Sequence, residues 1–270
     1  VITAPPSALT ITGAISGNTT PLNGATENYS IPAVTGAISY VWTLPNGWTG
    51  SSNSNTIIAT TTQTAGNISV KAVNATGCES APVLLALAIK PAKPSIDANT
   101  TTYCAGATAN SLTAIADAGG ILKWYSTATS STALASAPTS STAIAGSTSY
   151  FVSQIVNGVE SDRAEIVVTV NAIPAQPATI TGAIAVNPNS TEIYSVVTVA
   201  GVTSYEWTLP TGWTGVSSSN QISAGIGSNA GVISVVAIAN GCYSPAKEML
   251  IKMQIPNPPS VADISYCQNA

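Results

Sequence analysis

One long segment occurs twice in this sequence, and this internal repeat constrains the fold more than any other feature. Ser39 to Gly50 reads SYVWTLPNGWTG, and Ser204 to Gly215 reads SYEWTLPTGWTG. The first tryptophans of the two segments lie 165 residues apart (207 minus 42). A repeat at so long an interval indicates whole domains in tandem, as in modular surface proteins. The match continues at nearly the same interval in the pairs Glu27/Glu192, Tyr29/Tyr194, Gly66/Gly231 and Cys78/Cys242.

The chain is predicted to be all-β. Alternating stretches rich in Val, Ile, Thr and Tyr are bounded by Gly, Pro and Asn, for example at 68–73, 148–155, 165–170 and 232–238. No stretch shows a sustained apolar period of 3.6 residues with helix caps. Short strands with turn signals about every 8 to 12 residues are typical of Ig-like β-sandwiches.

Proline-rich segments divide the chain at 90–94, 173–177 and 255–259. Proline lacks an N–H group and stops sheet pairing, so these segments are expected to link domains. The predicted domains are 1–90, 91–172 and 173–255, and 256–270 is predicted to be the truncated start of a fourth. Strands of about eight residues at about 3.3 Å per residue predict a rod-like array of roughly 100 Å.

Composition argues against several classes of function. Charged residues make up 7% of the chain, the net charge is −4 and no basic patch occurs, so nucleic acid is not expected as a partner. The longest apolar run, Ala81 to Ile89, is too short to cross a bilayer, so membrane insertion is not expected. The sequence has no His, nucleophile elbow, Walker loop or C-x-x-C. We therefore expect no enzyme, no catalytic residue, no cofactor and no metal.

Several motifs resemble known families. Domains 1 and 3 resemble the PKD-like domains of Bacteroidetes surface proteins, through ITGA at 11–14 and 180–183, the Y-x-W-T-L-P-x-G-W motif and a late N-G-C-x-S-type turn. Domain 2 resembles the Ig-like module that accompanies them, through Tyr103-Cys104-Ala-Gly, Lys123-Trp-Tyr125 and Tyr150 to Gln154. The resemblance implies tandem Ig/PKD-like β-sandwich domains at the extracellular cell surface. Such modules occur in long adhesins, including gliding-motility adhesins exported by the type IX system, and as spacers in secreted polysaccharide-degrading enzymes.

The four cysteines are candidates for disulfides between successive domains. The related families often carry both cysteine positions in one domain, whereas here Cys78 and Cys242 lie in late hairpins and Cys104 and Cys267 lie early in the domains that follow. We predict the bonds Cys78–Cys104 and Cys242–Cys267, which would leave a hinge near Pro174. The late hairpin of an ordinary sandwich lies away from the next linker, which argues against this pairing. Four half-buried free thiols remain the alternative.

Aromatic and acidic side chains are the other candidates for binding. Trp42, Trp124 and Trp207 are expected in the core, on the third strand of each sandwich. Trp48 and Trp213 follow Pro-x-Gly turns and are candidate ligand contacts that could stack on a sugar, although packing over the sheet edge is favoured. Asp97 and Asp263 open the Ig-like domains near linkers, where calcium is a minor alternative. Acidic residues cluster at the late hairpin of domain 2, where a solvated turn is favoured over a catalytic or calcium site: Glu160, Asp162 and Glu165.

The expected function is structural. We predict a stalk segment of a large secreted bacterial cell-surface adhesin, whose partners are neighbouring repeats of the same long chain. The alternatives are a module that binds glycans or external surfaces, and a spacer in a polysaccharide-degrading enzyme.

Overall fold

The computed structural model describes residues 9–97 and 101–254. All regular elements in these two ranges are β-strands, numbered β1 to β19 along the chain. The all-β prediction is therefore confirmed. The predicted start of a fourth domain at 256–270, which contains Asp263 and Cys267, lies outside the described residues.

The described chain forms two compact units. The first takes in the described residues up to Thr101 together with Ala109–Ser140 and Ser147–Val168. The second takes in Thr102–Thr108, Ser141–Gly146 and the described residues from Thr169 onward. The middle third of the chain therefore contributes strands to both units.

The first unit contains a sandwich of two small antiparallel sheets. One sheet pairs β1 (Thr26–Ser30) with β3 (Thr56–Thr60). The other has the order β2 (Ala37–Thr43), β4 (Gly66–Asn74) and β5 (Val83–Leu87). Burial alternates along β3 and through most of β4, as the period of a strand requires. The buried core consists of Ile15, Tyr29, Ile31, Trp48, Ile57, Ala59, Ile68, Val70 and Leu87.

Further strands of the first unit lie in the middle third of the chain. β6 (Ser95–Ile96) pairs with β8 (Ala114–Ile115), and β9 (Ile121–Tyr125) pairs with β10 (Gly146–Val156). β10 also pairs with β11 (Val159–Glu160) across the turn Asn157-Gly158, where φ is positive at both residues, 51° and 79°. Asn-Gly favours such turns because both residues tolerate positive φ. β12 (Ala164–Asn171) also pairs with β10.

The second unit contains the second copy of the sandwich. β14 (Thr191–Ser195) pairs with β16 (Gln221–Gly225). The larger sheet has the order β13 (Ala185–Val186), β19 (Lys247–Met253), β17 (Gly231–Ala239) and β15 (Ser204–Thr208), and β18 (Cys242–Tyr243) forms a hairpin with β17. β7 (Thr102–Cys104) pairs in parallel with the last three residues of β12. The core consists of Ile180, Val186, Tyr194, Val196, Tyr205, Trp213, Ile222, Ala224, Ile226, Ile233, Val235, Ala237 and Ile251.

A buried tyrosine fixes the register of the repeat in each copy. Tyr29 and Tyr194 are fully buried, and each hydroxyl donates a 3.0 Å hydrogen bond to a backbone carbonyl, that of Asn18 or of Ala183. A Cβ atom on Gly17 or Gly182 would overlap the tyrosine ring, so only glycine fits at these positions. The segment 180–183 therefore corresponds to 15–18, and its expected correspondence with the ITGA segment at 11–14 is wrong.

Candidate functional site

The repeated motif SYxWTLPxGWTG forms the same turn in both copies. The amides of Trp48 and Trp213 donate to the carbonyls of Pro45 and Pro210 at 3.1 and 3.0 Å. The glycine before each tryptophan has a φ of 82° or 86°, as the third residue of a type II turn requires. The turn directs the tryptophan that follows it back toward the sheets.

The two candidate sugar-binding tryptophans lie in the cores. Trp48 and Trp213 are each 7% exposed. Their indole N–H groups donate to the carbonyls of Thr64 at 3.0 Å and Asn229 at 2.9 Å, and the Trp48 ring lies 6.4 Å from the ring of Tyr29. Stacking on a sugar needs an open ring face, so this burial contradicts the role of ligand contact. Their role in this structure is packing.

The tryptophans predicted on the third strand of each sandwich lie on β2, β9 and β15, and they differ in how deeply they are buried. Trp124 is buried, as predicted, with 6% of its surface exposed. Trp42 and Trp207 are only partly buried and pack against the edges of the two cores. Their indole N–H groups donate to the carbonyls of Ser54 and Ser219, both at 2.9 Å. The polar edge of each ring thus faces a loop while the rest of the ring covers the core.

Buried tyrosine hydroxyls are the titratable groups most affected by packing. Burial raises the pKa of Tyr29 to about 12 from 10.0, and the neighbouring carboxylate of Glu27 adds to the rise. Burial, together with Glu192, raises the pKa of Tyr194 in the same direction. Both hydroxyls are therefore held as neutral donors, which suits a structural hydrogen bond and not acid–base chemistry near neutral pH.

The acidic cluster in the first unit is a network of internal bonds. Glu160 accepts hydrogen bonds from the hydroxyls of Tyr125 and Ser153, both at 2.6 Å, and Lys123 lies 3.6 Å away. Burial alone would raise the pKa of Glu160, but these hydroxyl donors and the lysine charge together hold it below its ordinary value. Asp162 forms an ion pair with Lys90 at 2.5 Å. These two carboxylates are directed toward protein donors and not toward a shared ligand position.

Arg163 completes this network. Its guanidinium lies 3.4 Å from the centre of the Tyr125 ring and donates to the carbonyls of Thr127, Ala128 and Ser130 at 2.6 to 3.0 Å. It therefore anchors the loop after β9. Within residues 9–97 and 101–254, no group of three or more His, Cys, Asp or Glu side chains could hold a metal ion.

The proline-rich linker at 90–94, between the first sandwich and β6, is bonded to parts of the chain that precede it and follow it. The amides of Ala88 and Lys90 donate to the carbonyls of Thr19 and Pro21, both at 2.9 Å. Lys90 also forms the ion pair with Asp162 in the β11–β12 turn, a residue 72 positions further along the chain. The proline-rich segment is therefore bonded to strand-bearing segments both before and after it.

Gln154 on β10 is the most fully bonded residue at this linker. It is fully buried, and its amide nitrogen donates to the carbonyl of Ala92 at 2.8 Å and to the Asp117 carboxylate at 2.9 Å. Its amide oxygen accepts from the Asp117 backbone at 2.7 Å. A buried amide with every group satisfied fixes the geometry of the segments that it joins. Gln154 was not among the predicted site residues; an amide at an inward position of an alternating strand was the available signal.

A disulfide in the second unit joins Cys104 to Cys242, with Cα atoms 5.7 Å apart. The predicted pairs Cys78–Cys104 and Cys242–Cys267 are therefore wrong. The hairpin of Cys242 lies next to the segments that precede its sandwich, since the Asn171 side chain donates to the carbonyl of Asn240 at 3.2 Å. A covalent bond thus spans the junction near Pro174 that was expected to be a hinge. Cys78 is a free, exposed thiol.

The fold and these bonds define a tandem array of β-sandwich modules cross-linked by a disulfide. The PKD-like domain family matches residues 8–86 and 173–251, and the family described as "Ig-like domain CHU_C associated" matches residues 91–172. The chain belongs to the PKD-like domain family, with an Ig-like domain between its two PKD-like domains. No curated protein sequence matched the chain.

Solved structures of tandem modules show a distant likeness. Chicken CNTN1 FN1-FN3 domains align with 13% identity over 92% of this chain and 100% of that one, with a TM-score of 0.37. The Escherichia coli adhesin FdeC aligns with 14% identity over 92% and 99%, with a TM-score of 0.30. Fibronectin(III)-like modules of Clostridium thermocellum CbhA align with 14% identity over 59% and 94%, with a TM-score of 0.40.

Proposed function

We propose that this chain is a non-catalytic spacer segment of a large secreted bacterial cell-surface adhesin, exported by the type IX system and serving adhesion, including gliding. Its modules are residues 1–90, 91–172 and 173–255, and a further Ig-like module begins at 256–270. Its partners are the neighbouring repeats of the same long chain. In this role it separates a binding tip from the cell and transmits tension between them.

The observation that carries the proposal is the Cys104–Cys242 disulfide, which joins the Ig-like domain to the PKD-like domain after it. A protein that must transmit tension gains from a covalent bond between successive modules, whereas a lone binding module does not need one. A disulfide persists outside the cytosol, which agrees with a secreted protein. Among the residues that the structure describes, no helix is long and apolar enough to cross a membrane.

Exchange of this segment in the parent protein on living cells tests the proposal. One strain carries the parent without residues 8–251, and a second carries an unrelated β-sandwich array of equal residue number in their place. Adhesion to a surface under flow is measured at equal surface display, checked with an antibody against another part of the parent. We expect the deletion to weaken adhesion and the unrelated array to restore it.

The other outcomes discriminate between the alternatives. Failure of the unrelated array to restore adhesion would place ligand binding within residues 8–251 and would refute a spacer role. Hydrolysis of a polysaccharide by the parent, with no effect of either exchange on adhesion, would assign the segment to a secreted enzyme and refute the adhesin.

A further inference from the structure

Cys78 is the counterpart of Cys242 in the first copy of the repeat. Each cysteine follows a glycine of positive φ, 81° at Gly77 and 77° at Gly241, and each lies two residues before a buried serine. Both lie in the hairpin that follows the longest strand of the sandwich, β4 or β17. The two thiol positions therefore belong to the same structural element.

The serine after each cysteine fixes that hairpin in the same way. The hydroxyl of Ser80 accepts from the amide of Ala72 at 3.0 Å, and that of Ser244 accepts from the amide of Ala237 at 2.9 Å. The serine amides donate back to the alanine carbonyls at 2.9 Å in both copies. These paired bonds hold the cysteine side of each hairpin in one backbone frame.

The two hairpins differ in length by one residue, and this difference lies on the N-terminal side of the cysteine. The first copy has one more residue between the alanine and the glycine, and the Asn74 side chain closes this wider turn by accepting from the amides of Thr76 and Cys78 at 3.1 and 2.9 Å. The extra residue leaves the spacing from cysteine to serine unchanged. The residue after each cysteine pairs with the residue after each alanine, Glu79 with Val73 and Tyr243 with Ile238, so the two cysteines have the same register position.

The two cysteines have opposite states in the same structure. Cys242 is fully buried and bonded to Cys104, whereas Cys78 is exposed and free. An exposed free thiol is unusual in a secreted protein and indicates a missing partner. The bonded copy shows the chemistry of that partner, which is a cysteine at the position of Cys104, at the end of β7, in an Ig-like domain located directly ahead of the PKD-like domain.

We propose that Cys78 forms a disulfide with an Ig-like domain joined ahead of the first PKD-like domain, as residues 91–172 are joined ahead of 173–251. The two thiols lose two protons and two electrons to a low-molecular-weight disulfide such as oxidised glutathione, which is reduced to two thiols. The Tyr-Cys pair that opens the Ig-like segment occurs again at Tyr266-Cys267, so partner cysteines of this kind recur in the sequence. This inference rests on the secreted location in the proposed function, but not on the adhesin role.

An extended chain tests the proposal. A second copy of residues 91–172 is joined directly to residue 8 of the full chain, which reproduces the spacing at the 172/173 junction. After refolding in a glutathione redox buffer, free thiols are alkylated and peptides are mapped by mass spectrometry without reduction. We expect Cys78 to change from fully alkylated to protected, and to be linked to the added cysteine within one chain.

Two controls are built into this experiment. Replacing the added cysteine by serine should leave Cys78 open to alkylation. The Cys104–Cys242 bond of the same molecule reports whether the chain has folded. Alkylated Cys78 beside an intact Cys104–Cys242 bond would overturn the proposal, and so would a Cys78 cross-link found only between separate chains.

A hairpin exchange gives a second test that does not require the added domain to fold. In the full chain, residues 238–243 are replaced by residues 73–79, which brings the wider Cys78-type turn opposite Cys104. We expect the transplanted cysteine to bond to Cys104. A folded chain in which both thiols remain free would show that this hairpin cannot accept the cross-link, and the proposal would fail.

Discussion

Pulling the chain from its two ends should reveal the Cys104–Cys242 disulfide as a covalent shortcut. Tension applied outside the two cysteines passes through the sulfur–sulfur bond and not through the residues between them. Those residues can unfold but cannot be extended. We therefore predict that reduction, or the double substitution Cys104→Ser and Cys242→Ser, lengthens the fully stretched chain.

The expected gain follows from the sequence separation of 138 residues. At about 3.5 Å per extended residue, opening the bond releases about 480 Å of chain. The same closed loop restricts the unfolded state, and the chain-entropy relation gives a stabilisation of about 5 kcal/mol for a loop of this length. The length and stability effects share one cause and should disappear together.

Single-molecule force spectroscopy with handles at both termini measures this length directly. Traces are recorded for the oxidised chain, the reduced chain and the double serine variant, with Cys78→Ser as the matched control because it removes a thiol but leaves the disulfide. We expect the control to match the oxidised chain. Equal total contour lengths for the oxidised chain and the double variant would refute the shortcut.

Three further predictions concern single side chains. Gln154→Leu should destabilise the chain by about 1–3 kcal/mol for each polar group that is left unpaired. The control Gln63→Leu, at an exposed position, should have little effect. Equal denaturation midpoints for the two variants would contradict the contacts of Gln154 with the linker. Gly17→Ala should cost about 1–3 kcal/mol more than Gly146→Ala, because both substitutions strain a backbone of similar positive φ but only the one at Gly17 overlaps the Tyr29 ring. Similar melting temperatures of the two variants would argue against the overlap. Because the pKa of Tyr29 is raised to about 12, the stabilisation by its neutral hydroxyl is complete below pH 10 and is lost as the pH rises toward 12. Tyr29→Phe should remove this loss of stability at alkaline pH. An unchanged dependence of stability on pH in this variant would contradict the raised pKa.

The strands could be predicted from the sequence because alternation of apolar and polar residues is a local signal. The repeat allowed the strands of one copy to be checked against those of the other. The fate of Trp48 could not. Pro-x-Gly indicates the turn, but packing against Tyr29 decides where the next ring lies. Gln154 was missed for the same reason, since its bonding partner Ala92 is 62 residues distant in the chain.

The cysteine pairing shows which part of an inference from sequence can fail. Both predicted bonds joined a PKD-like domain to the Ig-like domain after it, whereas the observed bond joins the Ig-like domain to the PKD-like domain after it. Whether the cysteine bonds across the junction before its domain or after it depends on the end of the sandwich at which the late hairpin lies. The spacing of cysteines along the chain does not show which end that is. The position of Cys242 near Asn171 decides it.

The disulfide also constrains how the number of domains encoded by the gene can change through duplication or deletion. The bonded pair is an Ig-like domain followed by a PKD-like domain, so duplication of that pair as one block preserves every cross-link. Insertion or loss of a single domain would leave a cysteine without its mate, and an unpaired thiol can form wrong disulfides while the chain folds. We expect natural length variants to differ by whole Ig-like/PKD-like pairs, with the break points ahead of the Ig-like domain and not at the junction near Pro174.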